Sequence, residues 1–340
     1  RMIQTRRGFM GSAAAATLIS ACATTPIGKA SNPDLEIFDA EAHSLLDIFA
    51  RLEVLASGYT WSEGPVWDRA RNCLYFTDVP ENIAWKWSEA SGATEFLAPS
   101  GVAREQATGF REPGANGLAI SHDGSLLICN HGRRAVERMD FETGHREIIA
   151  ATFNGKKFNS PNDVVEGPDG SLFFTDPPYG LEGMNDSPLK EQDANGVYRL
   201  SPDGEITRLI DTMTFPNGIV LSPDSQTLYV SQSDPDQPVI LRMAPDGSSS
   251  SVLFDAKPFM SDTAPGLPDG MAVTRSGHIF ATGPGGVFLL ASDGKPLARI
   301  NTGKATANCC FGDADGRTLY MTAHDTLMRI RTTSIGLAWS

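Results

Sequence analysis

Short polar side chains recur in this chain at one point of a repeated phrase, directly before an apolar run. The phrase reads EGPVW, GANGLA, SPNDVV, FPNGIV, LPDGMA and TANCCF, and its polar residues are Glu63, Asn116, Asn162, Asn217, Asp269 and Asn308. Hard cations such as Ca²⁺ take several oxygen ligands and often mix carboxylates with amides and water. One Asn-Gly or Asp-Gly is commonly a turn device. Six aligned copies, two of them acidic and none His or Cys, predict a divalent-cation site unlike a zinc site.

An apolar hexad follows each copy of the phrase. The six hexads are CLYFTD (73–78), LLICNH (126–131), SLFFTD (171–176), TLYVSQ (227–232), HIFATG (278–283) and TLYMTA (318–323). Their β-branched and aromatic residues, with turn residues before most of them, are typical of buried strands. They recur at intervals of about 40 to 56 residues, which leaves room for three or four short strands each. The fold class predicted is all-β, a six-bladed β-propeller.

A second set of apolar segments predicts how the propeller closes. The segments are LEVLA (52–56), TEFLA (94–98), REIIA (146–150), TRLID (207–211), SVLFD (251–255) and LARIN (297–301). The first copy precedes the first unit, and the last unit lacks a copy. We therefore expect 52–56 to complete the last blade by pairing near 326–332, which leaves the ring without an open end.

The predicted fold places the polar column at one mouth of a central channel. The first strand of each blade lines the channel, and an antiparallel second strand ends at the same mouth. That rule adds rim residues at the ends of the hexads: Asp78, Asn130–His131, Asp176–Tyr179, Gln232 and His324. The longest insertion, 177–196, is a candidate lid over the site.

Composition excludes some classes of function. Of 340 residues, 41% are hydrophobic and 20% are charged, which is typical of a folded domain rather than a disordered chain. The net charge of −13 argues against a nucleic-acid partner, because phosphate-binding surfaces need an excess of Lys and Arg. Cys73 and Cys129 lie within apolar runs and are expected to be buried thiols.

The N-terminal residues read as an export signal. TRRGFM at 5–10 carries a twin-arginine pattern, and a short run of small and apolar residues leads to ISAC. We expect 1–21 to be removed on export, with Cys22 lipidated so that the protein is periplasmic or membrane-anchored facing the periplasm. Residues 22–50 would then form a tether and a short helix, and 51–340 the propeller hydrolase domain.

The phrases together resemble one known family. EGPVW, NSPNDVV, DGSLFFTDPPYG, FPNGIVLS and LPDGMAV resemble the gluconolactonase/regucalcin (senescence marker protein/luciferin-regenerating enzyme) family, and HGRR with TDPPYG is most similar to its bacterial gluconolactonase-like branch. The resemblance implies a propeller with one catalytic divalent cation, usually Ca²⁺, with Zn²⁺, Mg²⁺ and Mn²⁺ as alternatives. The metal ligands it implies are Glu63, Asn162, Asn217 and Asp269. Asp269 would also be the catalytic base, and Asn162 a ligand or a substrate contact. Regucalcin-like members carry an Arg where this chain has Ser160.

The chemistry expected of such a site is the opening of a small sugar lactone. A cation can polarise the lactone carbonyl, and Asp269 can take a proton from the attacking water. Candidate substrate-binding residues are Asn116, His131, Asp163, Tyr179 and His324. The sequence shows no Gly-x-Ser-x-Gly elbow of a serine hydrolase, and no aromatic wall for an apolar ester can be located in it.

Two alternatives stay open at this point. The same metal propeller could cleave aryl esters or organophosphates, because a fold does not fix a substrate. The chain could also be a non-catalytic sugar- or protein-binding propeller with a structural calcium ion.

Overall fold

The computed structural model describes residues 32–339 and shows six antiparallel sheets, five with four strands and one with five, arranged as a six-bladed propeller with a separate two-stranded sheet over 152–157. The predicted export signal and Cys22 lie outside the described residues. The strands of the first three blades and the segments before them are β1 (Leu35–Ile37), β2 (Glu53–Ser57), β3 (Ser62–Asp68), β4 (Cys73–Asp78), β5 (Ile83–Ser88), β6 (Gly92–Leu97), β7 (Ala115–Ile120), β8 (Leu126–Asn130), β9 (Ala135–Met139), β10 (Arg146–Ala150), β11 (Thr152–Phe153), β12 (Lys156–Lys157), β13 (Val164–Glu166), β14 (Leu172–Asp176), β15 (Gly196–Leu200) and β16 (Ile206–Ile210).

In the remaining three blades the strands are numbered from the innermost strand at the channel to the outer edge. Their strands are β17 (Pro216–Leu221), β18 (Leu228–Gln232), β19 (Val239–Met243), β20 (Ser250–Asp255), β21 (Met271–Val273), β22 (Ile279–Gly283), β23 (Gly286–Leu290), β24 (Pro296–Asn301), β25 (Thr306–Gly312), β26 (Thr318–Ala323) and β27 (Thr326–Arg331). Short 3-10 helices cover Ala40–Ser44, Arg104–Gln106, Met184–Asp186, Lys257–Phe259 and Leu337–Trp339. Within residues 32–339, no helix is both long enough and apolar enough to cross a membrane.

The ring closes as the sequence predicts. β2 pairs antiparallel with β27, with Glu53 opposite Arg329 and Ser57 opposite Thr326, so the sixth sheet has the order β2-β27-β26-β25. The start of the domain thereby fills the outer edge of its final blade. This pairing satisfies backbone groups that an open edge would expose.

The segment before the propeller differs from the single short helix expected there. β1 pairs with β24, placing Leu35 opposite Ile300, and so adds a fifth strand to the fifth blade. The 3-10 helix over Ala40–Ser44 follows, and Leu45 and Leu46 bury their side chains against the fifth and sixth blades. The unpaired outer edge of β24 offers hydrogen bonds that a helix could not use, which favours the strand.

The hydrophobic core lies between neighbouring blades. Leu127 and Cys129 of β8 pack against Phe174 and Tyr198 of the third blade, and all four are fully buried. Aromatic side chains of this size dominate core energetics because each buries about 150–250 Å². The four cysteines within 32–339 are unpaired, and Cys73 and Cys129 are buried as expected.

Candidate active site

The polar column forms a ring at one mouth of the channel. Five of its six members line a single cavity of about 500 Å³: Glu63, Asn116, Asn162, Asn217 and Asp269. Four of these are almost fully buried, with exposures of 2% to 4%. The sixth, Asn308, lies behind the ring, where its Nδ2 donates to Glu63 Oε2 at 3.2 Å. The sequence therefore identified the ring, and the structure separates five cavity residues from one supporting residue.

Glycine follows four of the six ring residues and lets adjacent inner strands approach closely. A Cβ on Gly218 would lie 2.2 Å from the backbone oxygen of Asp269, and one on Gly64 would lie 2.0 Å from that of Asn116. The Asn-Gly and Asp-Gly pairs thus serve the contact between blades. A turn device, which a single copy would suggest, is not their role here.

Hydroxyl side chains of the second strands fix the ring backbone. Thr175 Oγ1 donates to the carbonyl oxygen of Asn217 at 2.6 Å, and Ser231 Oγ donates to that of Asp269 at 2.7 Å. Both bonds run from one blade to the next. The third blade therefore helps to position Asn217, and the fourth blade helps to position Asp269.

Hydrogen bonds donated by the amide nitrogens leave the amide oxygens facing the cavity. Asn217 Nδ2 donates to Ser233 Oγ at 2.9 Å, and Asn116 Nδ2 lies 3.4 Å from His131 Nε2. Within residues 32–339, the buried oxygens Asn116 Oδ1, Asn217 Oδ1 and Asp269 Oδ1 have no hydrogen-bond partner. Buried polar atoms without a partner are costly. A cation bound by Asn217 and Asp269 would satisfy two of these three oxygens.

The donor set fits a hard divalent cation. Ca²⁺ accepts mixed carboxylate and amide oxygens, and Glu63 with Asp269 supplies two negative charges. No cluster of three or more His, Cys, Asp or Glu with metal-binding geometry occurs in residues 32–339. Any cation here would therefore depend on the amide oxygens as well as on the two carboxylates.

The two carboxyl groups resist ionisation when no cation is bound. Burial raises the pKa of Glu63 to about 8, and the nearby charge of Asp163 adds to this effect. Burial likewise raises the pKa of Asp269 well above its usual range, reinforced by the charges of Glu63 and Asp163. A divalent cation would favour the ionised forms and offset the repulsion between them.

Cation affinity should consequently rise with pH. Protons compete with the cation for Glu63 and Asp269, so we expect the association constant for Ca²⁺ to increase at least roughly tenfold per pH unit between pH 6 and 8 and to level off above that range. Titration calorimetry on chelator-stripped protein, in buffers of different ionisation enthalpy, should also detect protons released on binding. An affinity that is constant from pH 6 to 8 would contradict the assignment of these ligands.

Three other predicted substrate contacts occupy different positions. His131 is fully buried behind Asn116, and burial lowers the pKa of its imidazole to about 3, so it supports Asn116 as a neutral group. Asp163 accepts hydrogen bonds from the backbone of Val164 and Ile219 and lines a separate cavity. His324 is exposed and packs against Trp61 outside the cavity lining.

Tyr179 lies in the cavity wall as expected, and hydrogen bonds to Ser160 hold the loop that carries it. Ser160 Oγ donates to the carbonyl oxygen of Pro177 at 2.6 Å and accepts from the Gly180 N–H at 2.9 Å. Leu181 is fully buried. Segment 177–196, expected as a lid, contributes Tyr179 to the cavity lining.

The cavity also contains residues that the sequence reasoning missed. They are Trp61, Arg111, Glu112, Ser233, Gly266, Leu267, Ala305 and Thr306. Trp61, Leu267 and Thr306 each lie two positions before a ring residue, so the alternation of a strand could have found them. Trp61, and Tyr179 stacked on Phe215 at 5.6 Å, supply the aromatic wall that the sequence did not reveal.

The sequence of this chain matches a family model and several characterised relatives. Residues 61–325 match the family model described as SMP-30/Gluconolactonase/LRE-like region. A gluconolactonase of Zymomonas mobilis is 41% identical over 307 residues, which are 88% of this chain and 86% of that protein. A pentonolactonase of Haloferax volcanii is 28% identical over 76% of this chain and 80% of its own length.

Solved structures with the same fold agree with the sequence matches. A gluconolactonase from Xanthomonas campestris superposes with a TM-score of 0.74 at 33% identity, covering 88% of this chain and 95% of that one. A calcium-binding regucalcin from Agrobacterium tumefaciens superposes with a TM-score of 0.65 at 21% identity, covering 84% and 95%, and shares the fold.

Proposed function

This chain belongs to the SMP-30/gluconolactonase/LRE-like family and is a lactone-hydrolysing enzyme, and we propose that it opens a small sugar lactone in a reaction that requires a divalent cation. The observation that carries the cation requirement is the pair of buried, unpartnered oxygens of Asn217 and Asp269 at one cavity. The polar lining, with Asn, Glu, Arg and Tyr side chains, favours a substrate rich in hydroxyl groups. The sugar-lactone names of the relatives support the same class.

We assign the cation to Glu63, Asn162, Asn217 and Asp269. Ca²⁺ suits a set of oxygens with two carboxylates better than Zn²⁺ does. The bound cation would supply Lewis-acid stabilisation of negative charge developing on the lactone oxygen. The ionised pair Glu63 and Asp269 would be its counter-charge.

The side chains of this chain perform the remaining steps. Asp269 would accept a proton from water in its ionised form, which a bound cation favours. Asn116, held from behind by His131, presents its oxygen to the cavity. Trp61 and Leu267 form an apolar side that excludes water from one side of the substrate. The acidic mouth would repel the aldonate product and favour its release.

The aromatic wall favours a second candidate activity. Trp61 and Tyr179 could pack against the ring of an aryl ester, so the same site could also cleave that substrate class.

Acid release measured with a pH indicator tests both activities. Metal-replete protein should open glucono-, galactono- or xylono-lactone faster than the spontaneous rate, and a chelator should remove at least about 99% of that excess rate because Lewis-acid stabilisation contributes several kcal/mol. Re-addition of Ca²⁺ is the matched control. If aryl esters or organophosphates are cleaved and no lactone exceeds the buffer rate, the sugar-lactone proposal is wrong.

A further inference from the structure

The cavity has one charged pair that the ring does not explain. Among residues 32–339, Arg111 is the only Lys, Arg or His in the cavity lining, and Arg111 Nη2 donates to Glu112 Oε1 at 2.5 Å. The Glu112 side chain is only 14% exposed, whereas that of Arg111 is 48% exposed. Neither residue belongs to the repeated phrase, and neither is assigned above to the cation or to proton transfer.

The backbone, without these side chains, already holds the segment in place. The N–H groups of Arg111 and Glu112 both donate to the carbonyl oxygen of Gly180, at 2.9 and 3.3 Å. Gly180 packs so closely against His131 that a Cβ on Gly180 would lie 2.7 Å from His131 Cβ. Phe110 and Leu181 form a further bridge between the two segments. An ion pair is therefore not needed to fix this loop.

The pair retains unused hydrogen-bonding capacity. Within residues 32–339, the Arg111 guanidinium donates to Glu112 and contacts the sulfur of Met184 at 3.7 Å. A guanidinium has five N–H donors, so several are free. Glu112 Oε2 lies 3.7 Å from His131 Nδ1, which is too long for a hydrogen bond. Burying a carboxylate with an incomplete set of partners is costly unless a ligand completes the set.

The pair lies next to the reacting groups. Arg111 and Glu112 line the same cavity as Tyr179 and the predicted base Asp269. Trp61 and Leu267 are apolar members of the same lining. An aromatic face with an Arg–Glu edge matches a sugar ring, which has apolar C–H faces and hydroxyl groups that both donate and accept.

We propose that Arg111 and Glu112 form a hydroxyl-recognition subsite that selects polyhydroxylated lactones over unsubstituted ones. Arg111 donates to one ring hydroxyl group and Glu112 accepts from the same or a neighbouring hydroxyl group. Because this subsite determines specificity within the lactonase site, it rests on the proposed function. Sites built to hydrogen-bond a substrate hydroxyl discriminate strongly against analogues that lack it.

The test compares two lactones with the same ring. Glucono-1,5-lactone carries hydroxyl groups and δ-valerolactone carries none. Arg111→Ala and Glu112→Gln should each lower kcat/KM for gluconolactone about 10- to 100-fold, the usual range for a hydrogen bond to a charged group. Turnover of δ-valerolactone should change less than about twofold, because it offers nothing for the pair to bind. Arg104→Ala, an exposed arginine of the same segment, is the matched control and should alter neither rate.

Equal losses on both lactones would overturn the subsite and would indicate a structural ion pair. A wild-type protein that does not prefer gluconolactone would also overturn it. If wild type opens neither lactone, the proposed function fails, and calorimetric binding of 1,5-anhydroglucitol, a non-hydrolysable ring with the same kind of hydroxyl groups, still decides the subsite. Binding to wild type that is lost in Arg111→Ala and Glu112→Gln supports it, and binding that is absent or unchanged contradicts it.

Discussion

Glu63→Gln should remain folded but lose its bound cation and about 10³-fold or more of its lactone turnover, since Lewis-acid stabilisation contributes several kcal/mol. Glu63 is 2% exposed and supplies one of only two carboxylates in the donor set. The amide of Gln occupies nearly the same volume and still accepts from Asn308 Nδ2, so packing is preserved. Metal content by elemental analysis and the rate of acid release measure the two effects together.

Asp269→Asn should show the same loss of cation and a rate at least as low, because the variant removes a ligand and the predicted base at once. Asp163→Asn is the control. Its side chain lies in the neighbouring cavity and is engaged by the N–H groups of Val164 and Ile219, so this variant should retain the cation. Full metal stoichiometry in both Glu63→Gln and Asp269→Asn would refute the site.

Gly218→Ala should destabilise the propeller by about 2–3 kcal/mol and lower turnover by roughly 100-fold. Its new Cβ would lie 2.2 Å from the backbone oxygen of Asp269, and overpacking of this kind costs about 1–3 kcal/mol or more. The strain falls on the backbone that carries the predicted base, where a displacement of about 1 Å costs about 10²-fold in rate. Thermal unfolding and kcat/KM measure these effects.

Gly124→Ala is the control that separates the steric contact made by Gly218→Ala from a general loss of stability. Gly124 has a φ of +84° and no atom within 4 Å of its would-be Cβ. Ala at that turn should cost about 1–2 kcal/mol through its left-handed conformation alone and leave turnover unchanged. If Gly218→Ala behaves like Gly124→Ala, the close approach of the fourth and fifth blades does not position Asp269.

The blades and their closure could be predicted because their signals are local. Alternating and β-branched runs such as CLYFTD predict strands wherever they occur, and their count gives the number of blades. The extra copy at 52–56 had no other blade to complete. The segment over 34–50 was less predictable, because its strand forms only on the free edge of β24, which the segment itself does not encode.

The candidate site was predictable to the extent that it repeats. Glu63, Asn217 and Asp269 share a register, so the fold brings them together whatever their separation in sequence. His131 and His324 were selected by the same rule, but neighbouring packing determines which side of a strand end faces the cavity. His131 is covered by the Tyr179 loop, and His324 lies behind Trp61.

The sequence by itself determined the six blades, their closure and the polar ring, because strand alternation and turn composition act over a few residues and the repeat aligns them. The tertiary structure decided which ring atoms are free to bind a ligand. Asn217 Oδ1 is free to bind a ligand because the amide nitrogen of Asn217, and not its oxygen, is hydrogen-bonded to Ser233. The side chain of Asn308 is not free, because its oxygen accepts from the Cys309 N–H and its nitrogen donates to Glu63. The tertiary structure also brought Arg111 and Glu112 to the cavity through Gly180, a contact between segments about 70 residues apart. Such contacts depend on the packing of several blades at once, so no single stretch of the chain encodes them.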